Sequence, residues 1–398
     1  MSLKLLFIFG TRPEAIKLAP LIIKAKECGF FDVKVCLTGQ HKQMLKQVIN
    51  FFDIKIDYSF NLMKPNQSLF GITADILSPI EPLIEEEKPD FIIIQGDTTT
   101  AFVGALSGFY KKIKVVHVEA GLRTNDKYSP FPEEMNRVLI SRIADYHFVP
   151  SKKSSNNLLA EGLRDNIYIV GNTAIDALLL GLDLIKRNGD EKYLGFFNFL
   201  DFSKKIVLVT GHRRENFGEG LKNICEALKE IKNRSNNIQI VYPVHLNPNV
   251  REPVFRMLGD IQRVFLIEPL EYEYMIWLMN KSFLILTDSG GIQEEASFLG
   301  KPLIVMRDST ERIEGLEAGV SVLVGTDKDK IVKETFDLLV NKSRYNKMST
   351  PVKVYGDGNS SKEIIDILHK GGHIGINKEE EFVEIYYRNI IDAQLRPL

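Results

Sequence analysis

Residues 91–100 read FIIIQGDTTT, four apolar residues in unbroken succession, a glutamine, and then a loop of glycine, aspartate and threonines. A strand with one wet face alternates apolar and polar side chains. This one does not, so it predicts a strand buried on both faces, as in a parallel sheet covered by helices. The same pattern recurs outward along the chain. On one side it appears at 4–9 and 33–38, and on the other at 114–118, 146–149 and 167–170. A second set follows at 205–210, 238–243, 264–267, 283–287, 302–305 and 321–324. Helical periodicity fills the intervals, which makes βα units and an α/β fold. Two sets of six strands fit two sheets better than one sheet of twelve. The expectation is two Rossmann-like, doubly wound parallel-sheet domains facing a cleft, over residues 1–171 and 172–354. A helix at about 355–370 is expected to return to the first domain. Residues 371–398 read as a hinge at Gly371 and Gly372 followed by a short amphipathic helix whose role the sequence leaves open. The acidic runs 85–87 and 379–381 read as solvated helix surface.

The bulk composition narrows the function. Of 398 residues, 44% are hydrophobic and 26% charged, typical of a packed globular chain. Basic and acidic residues number 51 and 52, giving a net charge of -1. With no Lys/Arg block, nucleic acid is not an expected partner; a small anion is. Cys28, Cys36 and Cys225 form no CxxC pair, which fits a reducing compartment and offers no zinc site. No apolar stretch approaches the ~20 residues of a membrane span, and the opening strand is interrupted by Lys4. The cytoplasm is the expected location.

Ligands of open parallel sheets bind beyond the carboxyl ends of the strands, so the loops there carry the chemistry. After the first strand comes GTRPEAIK at 10–17. Gly10 permits a tight turn, Pro13 suits a helix's first turn, and Arg12 and Lys17 stand at its positive end, where a phosphate is favoured. The segment is neither GxGxxG nor a Walker loop, so neither a nicotinamide nor an NTPase reading gains support. In the second set, TDSGGIQEE at 287–295 offers Ser289 as a helix N-cap and Gly290 and Gly291 as a site of close backbone approach to a diphosphate. Glu294 or Glu295 could accept from ribose hydroxyls. Asp97, Glu119 and Glu133 stand at strand ends or a helix start. Each alone reads as a cap or ion-pair partner; three on one rim suit proton transfer. No set of acids and histidines has a recognised metal-ligand spacing. His212 and Arg213, in GHRRENFG at 211–218, could face a leaving diphosphate, and His245 reads equally as structural or functional.

Taken together, these segments resemble the non-hydrolysing UDP-N-acetylglucosamine 2-epimerases. The resemblance rests on GTRPEAIKLAP at 10–20, GQHKQML at 39–45, QGDTTT at 95–100 and HVEAGLRT at 117–124. It continues through PEEMNR at 132–137, GNTAID at 171–176, GHRRENFG, PVHLNPNV at 243–250, DSGGIQEEA at 288–296, TER at 310–312 and YGDG at 355–358. It implies a glycosyltransferase-B architecture, a homodimer, and reversible conversion of UDP-GlcNAc to UDP-ManNAc that feeds surface polysaccharide synthesis, with no cofactor. By motif match, Arg12, Lys17, Ser289, Gly290, Gly291, Glu295 and Arg312 would bind substrate or UDP, joined by Arg213 from its place at the strand end, and Asp97, Glu119, Glu133 and His212 would be catalytic. Gln40, His41, Gln43, Gln67 and His245 match an allosteric site for a second UDP-GlcNAc. Ile313 stands where the family commonly has proline, Gly39 replaces a common alanine, and Asn66 replaces an arginine of activated relatives. The alternatives are a UDP-sugar glycosyltransferase of the same architecture, an epimerase of a modified 2-acetamido sugar, a hydrolysing epimerase, which Pro13 and Glu14 disfavour, and an inactive UDP-sugar sensor, which would lack some of the acids.

Overall fold

A computed structural model of the chain describes residues 2–39, 42–60, 62 and 67–373. The first sheet comprises β1 (Leu3–Phe9), β2 (Phe31–Leu37), β3 (Tyr58–Ser59), β4 (Phe91–Gln95), β5 (Lys114–Val118), β6 (Tyr146–Val149) and β7 (Ile167–Ile169), in the order β3-β2-β1-β4-β5-β6-β7. The second comprises β8 (Lys205–Thr210), β9 (Ile238–Pro243), β10 (Val264–Ile267), β11 (Leu284–Thr287), β12 (Leu303–Val305) and β13 (Ser321–Leu323), ordered β10-β9-β8-β11-β12-β13. Every pairing between them is parallel. Among the described residues the first sheet thus has seven strands, where the sequence predicts six. The added β3 pairs only Cys36 with Tyr58 and Leu37 with Ser59; two residues carry no run long enough to read.

Strand β1 explains why its sequence does not alternate. Leu5, Phe7 and Phe9 pack on one face with Leu18, Ile22 and other apolar residues of the helix Arg12–Glu27. Leu6 and Ile8 pack on the other with Ile76, Ile80 and Ile84 of the helix Leu69–Glu87. Burying each such side chain stabilises by about 1.5–3 kcal/mol relative to exposure, so a polar residue on either face is costly.

The two sheet units are joined through helices as well as chain. The helix Thr173–Asn188 packs against Arg12–Glu27 from the first unit and against the helices Tyr272–Lys281 and Gly290–Phe298 from the second. The helix Ser360–His373 returns to Arg12–Glu27 and also touches Thr173–Asn188. The two connecting strands of chain cross at Gly171, whose φ is +85° and whose Cβ, if present, would lie 2.8 Å from the Gly356 Cα. Trp277, the single tryptophan, is buried between Phe197 and Tyr193, with ring centroids at 5.3 and 5.7 Å.

Two local expectations need correcting. Gly371 and Gly372 lie inside the helix Ser360–His373, not at a hinge. A Cβ on Gly371 would approach the Tyr146 hydroxyl to 2.9 Å, so close packing accounts for that glycine. Glu87 is buried rather than solvated: its carboxylate takes the Lys4 ammonium at 2.7 Å and the Tyr58 hydroxyl at the rim of the first sheet. Residues 379–381 lie outside the described residues. Among the described residues, no helix is long and apolar enough to cross a membrane.

Candidate active site

Strand order reverses between β1 and β4 in one sheet and between β8 and β11 in the other, and crevices open at such switch points. Four of the loops singled out in the sequence follow these four strands, and that of Glu119 follows β5. The GTRPE loop follows β1, with Thr11 at the N-cap position of the helix Arg12–Glu27 and Glu14, in its first turn, reaching back to the Thr11 amide. The buried Glu14 carboxylate accepts from the amides of Gly10 (3.0 Å) and Thr11 (2.7 Å) and from the Thr98 hydroxyl (2.7 Å), which ties the loops after β1 and β4 together.

Glu119 follows β5 with a left-handed backbone (φ 65°), a conformation that costs a non-glycine residue energy and that clusters at functional sites. Its carboxylate receives the Lys17 ammonium at 2.7 and 2.5 Å, the Gln95 amide, and the Asn172 amide at 3.3 Å. Arg312 Nη2 stands 3.9 Å away. Burial pushes the Glu119 carboxyl up, but Lys17 and Arg312 outweigh it and hold the group below the usual range. Asp97, after β4, has the opposite balance. Burial raises it to about 6, against the pull of Arg137, whose Nη2 lies 3.1 Å from Oδ2. The charges of Glu119 and Glu133 raise it further. Glu133 begins the helix Glu133–Ile143, and Asn136 of that helix donates to the Asp97 carbonyl at 2.9 Å. One carboxylate is therefore held ionised beside another that gains a proton easily.

The second sheet contributes the opposing wall. Asp288, wholly buried after β11, accepts through Oδ2 from the backbone amides of His212 and Arg213, both at 2.9 Å, and from the Asn216 amide at 3.1 Å. The His212 side chain is 44% exposed and stacks on His245 with centroids 5.4 Å apart; partial burial, with His245 and Arg213, lowers its pKa against the opposing pull of Asp288. Ser289 occupies the N-cap position of the helix Gly290–Phe298, but its hydroxyl makes no capping hydrogen bond, contrary to the expected cap. Arg312 covers Gly290 so closely that a Cβ there would lie 3.4 Å from the guanidinium carbon. Its Nε donates to Glu294 at 2.8 Å and its Nη1 to Glu311 at 3.0 Å. Glu295 accepts from the Tyr272 hydroxyl at 3.0 Å, and burial raises it to about 7. Arg213 lies near enough to help depress Glu311, which Arg312 and Arg307 hold at about 2 despite burial.

Arg12 Nη2 donates to the Leu270 carbonyl at 3.0 Å, and Asn172 bridges Glu119 to Glu294, donating to the latter at 2.9 Å. Residues from both sheet units are thus linked through Lys17, Glu119, Asn172, Glu294 and Arg312. Sequence reading missed Gln95, Asn172, Arg137 and Asp288 as members with individual roles, although each lies inside a motif quoted above; Glu294, offered there as a ribose acceptor, is taken up by Arg312 and Asn172. Of the candidate second-site residues, Gln40 and His41, like Asn66, lie outside the described residues. Gln43 lies in the helix Lys42–Phe51, and Gln67 donates to the Leu62 carbonyl at 2.7 Å and Asp75 at 2.9 Å.

A family profile described as UDP-N-acetylglucosamine 2-epimerase matches residues 24–369 of this chain. The chain belongs to the UDP-N-acetylglucosamine 2-epimerase family. Similar members of this epimerase family include one from Escherichia coli K12, 52% identical over 92% of this chain and 98% of that one. Another, from Campylobacter jejuni, is 51% identical over 93% of this chain and 98% of that one. A crystal structure of the Neisseria meningitidis UDP-GlcNAc 2-epimerase bound to UDP-GlcNAc superposes with a TM-score of 0.88 at 47% identity, covering 92% of this chain and all of that one. The epimerase family has two parallel-sheet α/β units, as found here.

Proposed function

We propose that this chain interconverts UDP-GlcNAc and UDP-ManNAc by eliminating and re-adding UDP, without a nicotinamide. The observation that carries the proposal is the meeting of two chemistries where Arg312 of the second unit stands 3.9 Å from Glu119 of the first: acids of unequal acidity on the first sheet unit, and a helix N-terminus with His212 on the second. The hydrogen on sugar C2 is not acidic, because no carbonyl adjoins it. It becomes acidic once the C1–O bond to the diphosphate breaks and positive charge grows at C1. Amides of the Ser289–Gly290–Gly291 turn, Arg312, Arg213 and His212 stabilise the departing phosphate oxygens. A carboxylate takes the C2 proton, leaving 2-acetamidoglucal and UDP. A second acid then delivers a proton to the other face of C2 while the diphosphate oxygen re-adds to C1, so the net change is inversion alone. Asp97, Glu119 and Glu133 form the acid–base group, Lys17 holds Glu119 ionised, and Arg12 and Glu295 bind the nucleotide.

Purified enzyme incubated with UDP-GlcNAc in deuterated water should give UDP-ManNAc carrying deuterium at C2, with traces of UDP and the glucal, all visible by NMR. Product without solvent deuterium would remove the elimination route. UDP released without any C2 exchange would favour a glycosyltransferase.

The same proposal includes a homodimer and an activating second UDP-GlcNAc. Phe70, Tyr110, Met135 and Leu139 are exposed on three helices, Leu69–Glu87, Thr99–Tyr110 and Glu133–Ile143, that pack side by side. Such a face suits self-association. The activator would bind Gln40, His41, Gln43, Gln67 and His245. UDP-ManNAc alone should then turn over with a lag that a trace of UDP-GlcNAc removes.

A further inference from the structure

Asp288 uses only half of its carboxylate to hold the loop after β8. Oδ2 takes all three hydrogen bonds, from the His212 and Arg213 amides and from Asn216 Nδ2. Oδ1 is buried and has no hydrogen-bond partner among the described residues. His212 Nδ1 stands 3.5 Å from it, just beyond a good hydrogen bond. An orphaned carboxylate oxygen in a fully buried side chain is costly unless a donor reaches it. A small rotation of the exposed imidazole supplies one.

We propose that Asp288 is a positioning residue for His212: its free oxygen fixes the proton on Nδ1, turns Nε2 toward the cleft, and supports the imidazolium that donates to the departing diphosphate. The inference rests on the role given to His212 above. Three features favour it. The donors gathered on Oδ2 prevent the carboxylate from rotating Oδ1 away. The ring stacked on His212, that of His245, accepts from the Asn247 amide through its Nδ1 at 3.1 Å, so its neutral form carries the proton on Nε2 and the two rings do not compete for Asp288. Among the groups acting on His212, burial, His245 and Arg213 disfavour the cation and Asp288 favours it. A carboxylate behind a histidine sets tautomer and orientation in this way in other enzymes.

The substitution Asp288→Asn tests this sharply. The donors on the Oδ2 side oblige the amide oxygen to stay there, which places the amide NH2 against His212 Nδ1 and reverses the preferred tautomer. In ¹⁵N-labelled full-length protein, the His212 ring shifts should show Nδ1–H in the wild type and Nε2–H in Asp288→Asn. Turnover should fall about 10- to 100-fold, the usual scale for a residue behind a functional one, with KM changed far less, and the alkaline limb of kcat should move to lower pH. Asn216→Ala removes one of the three donors to Oδ2, along with a hydrogen bond to the Met306 carbonyl, but leaves Oδ1 facing His212 and should keep the Nδ1–H pattern. An unchanged His212 pattern in Asp288→Asn, or an equal change in Asn216→Ala, overturns the inference. His212→Asn separates it from the underlying reading: a full rate there removes the role of His212 in catalysis, whereas a slow His212→Asn to which Asp288→Asn adds nothing supports both.

Discussion

The Asp97 carboxyl, pushed up to about 6 by burial, gives the clearest residue-scale consequence. A base must be ionised, so a step that uses Asp97 as base is lost as pH falls through about 6, rather than through the ordinary aspartate value near 4. The acid limb of kcat/KM should therefore lie near pH 6. Arg137→Gln removes the cation that opposes burial and should shift that limb upward. A wild-type limb below about pH 4.5 would mean that Asp97 is not the titrating base. Asp97→Asn, Glu119→Gln and Glu133→Gln should each lower kcat by ~10²-fold or more, the usual loss for a general acid or base. They should fold, since each change is nearly isosteric. Near-normal rates in all three, measured as C2 deuterium exchange, would shift the reading to a transferase. The pairing of Asp97 with Arg137 and of Glu119 with Lys17 was not legible in the sequence. These partners are 40 and 102 residues apart, and only the sheet order brings them together.

At the scale of elements, the crossing of the two connectors makes a specific demand. Gly171→Ala would place a Cβ against the Gly356 backbone in a left-handed conformation. It should destabilise by about 1–3 kcal/mol, the scale of such strain, seen as a lower Tm in calorimetry; an unchanged Tm would show that the connectors yield freely. The central strands could be read ahead of the structure because burial on both faces leaves nothing but apolar residues to choose from. Strand β4 occupies the stretch read from its sequence, 91–95, for that reason. The loops after β1, β4, β8 and β11 were legible because glycine, proline and charge concentrate there. What escaped reading depended on contacts without a local signature. Strand β3 is two residues long, Gly371 answers to a tyrosine in another element, and Glu87 finds its cation on β1.

For the whole molecule, the exposed apolar residues of the helices Leu69–Glu87, Thr99–Tyr110 and Glu133–Ile143 predict a dimer at micromolar concentration by light scattering. Phe70→Glu with Leu139→Glu should yield a monomer, and a monomeric wild type would remove the dimer from the proposal. The burial of Trp277 has a different use. With one tryptophan in the chain, intrinsic fluorescence reports on a single place, the aromatic stack with Phe197 and Tyr193 next to the second sheet unit. Circular dichroism, by contrast, averages over the helices of both units. The protein therefore carries its own probe for whether its halves melt as one: a spectral red shift that coincides with the loss of ellipticity means a single cooperative transition, and one that leads or trails it means that the two units come apart separately.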